Sequence, residues 1–344
     1  MQRQVLNIVD SNELELAVAI GQLRENRRHE LTQAVLETKS LDIATRVISA
    51  GDRQRAQQTV VQCAELGIEI WPLTSPSYPV LLREINSPPA ALYVKRLHSA
   101  ASLPSASIGV VGTRAASIEM CQCASEIAQM LAQAGLTVIS GLALGIDGAA
   151  HRGALQSANT CPTVAVLAHG LERVYPPTHS GLARQILDSG GMLLSEYAPY
   201  VDPMKHHFLA RNRIIAGLSR GVVVIEAGAR SGSLVTANFA ADYGRDVFVL
   251  SASEHDPDKR QGCQSLIEQG AIPITSAGDV LREYGLVTQQ ETKPIKQRWE
   301  TMSVDTFIER TKISVGELLK REIAGQVVRL PGNQVRVWTD VVED

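Results

Sequence analysis

The sequence predicts an α/β protein. It reads as a mostly parallel sheet with helices on both faces, a small helical region ahead of it and a winged-helix-like module behind it. Three observations lead there. From Ile108 onward, short β-branched runs alternate with helical stretches, the pattern of strands buried on both faces. Several of those runs end in glycine-containing loops that lead into helices, and in such sheets the loops at the carboxyl ends of the strands form the ligand crevice. A chain of 344 residues, with 44% hydrophobic and 20% charged content, is long enough for one large core with smaller appendages.

Taken in order, residues 1–70 read as short helices at 13–23, 30–36, 41–48 and 53–66, with Gly67 ending the last. Pro72, Pro76, Pro79, Pro88 and Pro89 mark an irregular connector leading to Ala91-Leu92-Tyr93-Val94, and 99–107 is a small, polar linker. Strands follow at 108–112, 137–140, 163–167, 192–195, 222–226 and 247–250, with helices at 119–134 and 234–243 among them. The main domain spans 71–285, and a polar linker covers 286–299. The tail, 300–344, contains helices at 304–309 and 315–322 and two strand-like runs joined by a Pro331-Gly332-Asn333 turn, an order that suggests a winged helix.

Composition narrows the function classes. Net charge is −3 and the pI is near 6.3, so a nucleic-acid site has to be a local basic pocket rather than a global field. Five scattered cysteines, Cys63, Cys121, Cys123, Cys161 and Cys263, offer no zinc spacing and read as reduced thiols. No signal peptide and no apolar run of membrane-spanning length is evident, so the expectation is a cytoplasmic protein.

The most informative stretch runs from Phe208 to Ser219. It sets an aromatic beside Arg211, Asn212 and Arg213 in a chain where aromatics make up only 4%, so that ring is less readily dismissed as filler. Arginine and asparagine hold phosphate oxygens and base edges, and a ring carries a stacked base. The same residues also fit a helix start with solvated arginines. Upstream and downstream lie Gly112-Thr113-Arg114, Gly141 to Asp147, and Ser231-Gly232-Ser233, each at a strand end and each leading into a helix. Glycine at such an end lets backbone amides approach an anion, although it also simply makes a tight turn. Ser117 is placed to cap the helix after the first loop.

Two enzyme patterns fail. Gly109-x-x-Gly112 lacks the close glycine pair of a dinucleotide fingerprint, and 228–233 has no P-loop lysine. His206-His207 lack metalloprotease spacing. Asp147 and His151 read as a helix-end carboxylate and a packed or pocket-lining histidine; Glu196 and Glu226, both at strand ends, read either as paired acids or, more commonly, as acids that position arginines or cap loops.

These motifs together resemble the DprA/Smf family of DNA-processing proteins over roughly residues 70–280. The series runs through Gly112-Thr113-Arg114, the 141–151 loop, Gly170 to Tyr175-Pro176, Leu194 to Tyr197, Phe208 to Ser219, Glu226-Ala227 and Ser231 to Ala237, with Gly244-Arg245 and Gly262-Cys263 beyond. The resemblance implies an extended Rossmann-like domain that binds single-stranded DNA, dimerises through that domain and helps load the RecA recombinase, with no catalysis, cofactor or metal. It implies Arg114 and Lys205 on phosphates, Phe208 under a base, and Arg211 and Asn212 lining the same pocket. Arg213 and the 112–113 and 231–233 loops complete the expected DNA site. The chain departs from the family at Leu209 and His179, where proline and asparagine are usual. It departs again at Ser251-Ala252-Ser253, where Pro-Gly is usual, and in an amino-terminal region without glycine-centred hairpins. The fold is also similar to that of the LOG-type phosphoribohydrolases, which makes a nucleotide-processing or nucleotide-sensing protein the alternative. That family's Pro-Gly-Gly-x-Gly-Thr loop is replaced here by 227–232.

Overall fold

The computed structural model describes residues 10–97, 103, 106–251, 257–286, 299–323, 327–330 and 332–338. The chain starts with α1 (Ser11–Gly21), capped by the Asp10 carboxylate, which accepts from the Asn12 N–H. Leu16 to Ile20 are all buried in α1, so the second half of this helix is enclosed on every side. It is followed by α2 (Glu25–Thr38), a 3-10 turn (Leu41–Arg46) and α3 (Ala50–Glu65), whose Ser49 and Asp52 form a capping box. The segment expected to be an irregular connector instead contains β1 (Glu69–Pro72) and the short α4 (Val80–Arg83) before β2 (Ala91–Lys95). Pro72 is tolerated because β1 is the sheet's edge strand.

From there the predicted alternation holds. The order is β3 (Ser107–Val111), α5 (Ile118–Gln133), β4 (Thr137–Ser140), α6 (Ile146–Ala154), β5 (Thr163–Leu167), α7 (Ser180–Asp188), β6 (Met192–Ser195), α8 (Lys205–Leu218), β7 (Gly221–Val224), α9 (Gly232–Asp242), β8 (Asp246–Leu250), α10 (Pro257–Glu268), β9 (Ile272–Ile274) and α11 (Ala277–Glu283). The nine strands lie in the order β1-β2-β6-β5-β4-β3-β7-β8-β9; β1–β2 and β2–β6 are antiparallel, and the other neighbouring pairs are parallel.

Side chains alternate across this sheet as a period of two requires. In and after β7, Val223 and Ile225 join the core containing α5 and α11, while Val222 and Val224 join the core containing α1, α8 and α9. Each such buried aliphatic contributes roughly 1.5–3 kcal/mol relative to exposure. Among the described residues no helix is long and apolar enough to cross a membrane.

The tail adds a strand to the predicted helix–helix–hairpin. It consists of β10 (Trp299–Ser303), α12 (Val304–Thr311), α13 (Val315–Ile323), β11 (Val327–Leu330) and β12 (Gln334–Trp338), with a three-stranded antiparallel sheet ordered β10-β12-β11. Phe307, Leu318, Val327, Val335 and Val337 form its core. The polar linker at 287–298, Pro331, and Ala252-Ser253 lie outside the described residues.

His151 on α6 shows how tightly this layer is closed. Its Nδ1 stands 2.6 Å from Thr163 Oγ1, and that hydroxyl donates to the Val138 carbonyl at 2.7 Å, so the histidine donates from Nδ1. Burial, reinforced by His179 and Arg152, pushes its pKa from 6.5 down to about 3. The folded-state value lies below the unfolded one, so this contribution is complete above about pH 6.5 and is lost as pH falls toward 3. Between about pH 6 and pH 4, unfolding titrations should show wild type losing roughly 1.4 kcal/mol per pH unit more than His151→Gln. Parallel pH profiles would assign the acid sensitivity to other groups.

Candidate nucleic-acid interface

Strand order places the site. The chain winds outward from β3 through β4 and β5 to β6, then α8 carries it back to β7 on the other side of β3. The loops leaving β3 and β7 therefore diverge, which opens a crevice at the carboxyl edge of the sheet. A cleft of about 750 Å³ occupies this point. The β3 loop supplies Gly112, Thr113 and Arg114; the β7 loop and the start of α9 supply Arg230, Ser231, Gly232, Ser233 and Thr236. The cleft wall formed by α8 presents Lys205, Phe208, Leu209, Arg211 and Asn212. Tyr175 and Pro203 close one side.

The floor is a buried charge system. Arg211 is only 3% exposed, and its Nη1 donates to the Val166 carbonyl at the end of β5, at 2.7 Å. Its guanidinium lies over Gly141, where any β-carbon would collide with it. Asp147 accepts from the Gly141 N–H at 3.1 Å and the Ala143 N–H at 3.5 Å. Burial raises the Asp147 pKa, with Arg211 as the largest opposing influence, and burial lowers that of Arg211 to about 10, with Asp147 opposing. Arg211 thus stays charged at neutral pH and counters the acid beneath it. The second glycine loop is consequently occupied, since its amides serve Asp147. Gly145 closes that loop at φ +74, with its α-carbon against the Thr113 carbonyl, a position closed to any side chain. Asn212 ties α8 to α9 by donating to the Gly232 carbonyl at 3.0 Å.

The rim is different. Arg114, Lys205 and Arg230 are exposed, and none is held within ion-pair distance of a carboxylate among the described residues. The Arg114 guanidinium lies 4.9 Å from the centre of the Phe208 ring, and Tyr175 packs at 5.9 Å from the same ring. Ser231 caps α9: its Oγ accepts from the Ser233 N–H and bonds the Ser233 hydroxyl at 2.7 Å. The positive end of the α9 dipole therefore opens into the cleft.

Ten of the eleven residues expected from sequence line this cleft. Arg213 does not. It extends to the opposite side of α8, ion-paired with the buried Glu196, and borders a separate hollow of about 560 Å³ against α2 and the 87–91 segment. Glu196 accordingly positions an arginine, as the sequence reading has it. His179 is buried with Nδ1 2.9 Å from the Leu142 carbonyl and braces the 141–147 loop. The sequence reading did not single out Arg230 or Tyr175. The scarcity of aromatics that drew notice to Phe208 applies equally to Tyr175.

Comparison with known proteins bears on the family and the fold. The family model for DNA recombination-mediator protein A matches residues 68–285. Protein Smf of Escherichia coli K12 is 38% identical over 292 residues, covering 77% of this chain and 76% of that one. The structure of DNA processing protein A (DprA) from Streptococcus pneumoniae superposes with a TM-score of 0.65 at 33% identity, covering 80% of this chain and 99% of that one. DNA processing protein A from Helicobacter pylori, whose structure addresses its single-stranded DNA binding mode, gives a TM-score of 0.55 at 28% identity over 63% of this chain and 95% of that one.

Floor and rim should separate in stability measurements. Arg211→Ala leaves Asp147 buried without its countercharge and should cost on the order of 3 kcal/mol in urea unfolding. Arg114→Ala, at an exposed position, should stay within about 0.5 kcal/mol of wild type. Equal effects of the two substitutions would contradict the division.

Proposed function

The chain belongs to the DNA recombination-mediator protein A family, and from that premise we propose that its switch-point cleft binds single-stranded DNA, holds it without chemical conversion and presents it to the RecA recombinase. One observation carries the reading: three exposed cations, without carboxylate partners among the described residues, line the same cleft as the Tyr175–Phe208 aromatic pair, of which Phe208 is half-buried. Cations that track the backbone and rings that take bases are how single strands are held without strong sequence readout. Arg114, Lys205 and Arg230 take phosphates, while Gly232 and Ser233 at the start of α9 add the helix dipole. Phe208, backed by Tyr175, takes a base. For a base to stack there, the Arg114 guanidinium has to leave the ring it covers, and a phosphate of the same strand gives it a new partner. Bases stacked inside a duplex do not reach a ring recessed in a cleft, so the preference is for single strands.

The buried acid of the cleft is consistent with binding rather than turnover: Asp147 is tied to two backbone amides. His151, on α6 and outside the cleft lining, is kept neutral by burial. Transfer to RecA and dimerisation through the Rossmann-like domain are proposed on family membership, with the cytoplasm as the place of action. A shorter lag in RecA ATP hydrolysis on single strands tests the first, and sedimentation the second.

The direct test is fluorescence anisotropy of a labelled single-stranded oligonucleotide across a salt series. Each of Arg114→Ala, Lys205→Ala and Arg230→Ala should flatten the log–log salt slope by about 0.7, one single-strand phosphate contact, whereas Arg213→Ala should leave it unchanged. Phe208→Ala should weaken binding by about 1–3 kcal/mol. Tight mononucleotide binding with no affinity for single strands would instead favour the nucleotide-sensing alternative.

A further inference from the structure

Tyr200 is a conspicuous aromatic outside the cleft. Among the described side chains, the aromatics left more than one-third exposed are Tyr175, at 45%, and Tyr200, at 60%. Tyr200 also adopts φ +67, the left-handed region in which a β-carbon crowds the following carbonyl. The backbone is fixed there by several ties. The Tyr200 N–H donates to Glu172 Oε2 at 2.9 Å, the Gly170 N–H donates to the Val201 carbonyl at 3.0 Å, and Arg173 pairs with both Glu172 and Asp202. These ties join the 168–176 and 196–204 loops, which deliver Tyr175 and Pro203 to the cleft.

Strain of this kind persists only where the surroundings over-determine it. Here it does not serve burial, because the ring remains in solvent. Pro203 in the cleft wall lies three positions after Tyr200, so their α-carbons are at most about 11 Å apart. Exposed Met204 and Lys205 continue the chain to the rim. The carboxylates beside Tyr200 disfavour a phosphate but leave the ring face available to a base.

We infer that Tyr200 is a second stacking platform, taking an unpaired base of the strand as it leaves the cleft past Pro203 and Lys205. This rests on the proposal that the cleft holds single-stranded DNA. The ring supplies affinity for strands longer than the cleft itself, and the strained backbone presents it outward.

The experiment compares full-length wild type, Tyr200→Gly and Tyr200→Phe by anisotropy with oligothymidines of about 5 and about 15 nucleotides, within the range of single-strand site sizes. Glycine accepts the backbone conformation without a ring, so Tyr200→Gly should unfold at or above the wild-type midpoint. Its affinity should fall about 5- to 150-fold for the long strand, the equivalent of one base stack, and by less than about 2-fold for the short one. Tyr200→Phe should match wild type at both lengths. Equal ratios of variant to wild type at the two lengths, or a long-strand loss shared by Tyr200→Phe, would overturn the inference while leaving the cleft proposal intact. A wild-type protein that binds neither strand would overturn the cleft proposal itself.

Discussion

A guanidinium almost wholly removed from water has to be compensated where it lies, and the loops beneath the cleft are arranged around that demand. Arg211 projects from the middle of α8 into the carboxyl edge of the sheet, where it meets the end of β5 through Val166 and the end of β4 through Gly141. Asp147, at the start of α6, answers its charge and at the same time holds the β4 loop by two amides. One side chain thus fixes the relative positions of α8, α6 and two strand ends. Gly141 is required by the approach of that side chain, and the loop glycine at Gly145 by the approach of the Thr113 carbonyl. With the floor immobilised in this way, the exposed cations stand around a cleft of set shape.

The same helix separates its basic residues by direction. Residues three and four apart share a face, so Lys205, Phe208 and Asn212 meet the cleft together. Arg213, two positions beyond Arg211, lies across the helix and is neutralised by Glu196. A contiguous Arg-Asn-Arg run therefore supplies one buried structural charge, one interhelical tie and one ion pair on the opposite face. The phosphate-facing charge comes from elsewhere: Arg114, Lys205 and Arg230 are brought in by two loops and the first turn of α8.

Much of the fold is legible in the sequence because buried parallel strands have a strong signature. The runs at 137–140, 163–167 and 192–195 match their strands residue for residue, since short, β-branched and mostly apolar segments between helical stretches are what a doubly covered sheet requires. β1 and β9 escape notice because each is an edge strand of three or four residues with a proline, a composition that reads as a loop. β10 joins its sheet only through the distant β12, a pairing that local pattern does not reveal. The site is partly legible for the same reason. Glycine loops at strand ends announce the crevice, but the division between buried and exposed arginines depends on helix phase and on which strands become neighbours. Arg230 and Tyr175 acquire their significance only when the fold packs Tyr175 against Phe208 and brings Arg230 into the same cleft.

The central claim is that a single strand lies in this cleft with a base against Phe208. Photo-crosslinking with an iodouracil-substituted single strand, followed by mass-spectrometric mapping, addresses it most directly. The account predicts adducts on peptides carrying Tyr175 or Phe208. Adducts confined to the winged-helix-like tail, or to the hollow beside Arg213, would contradict it.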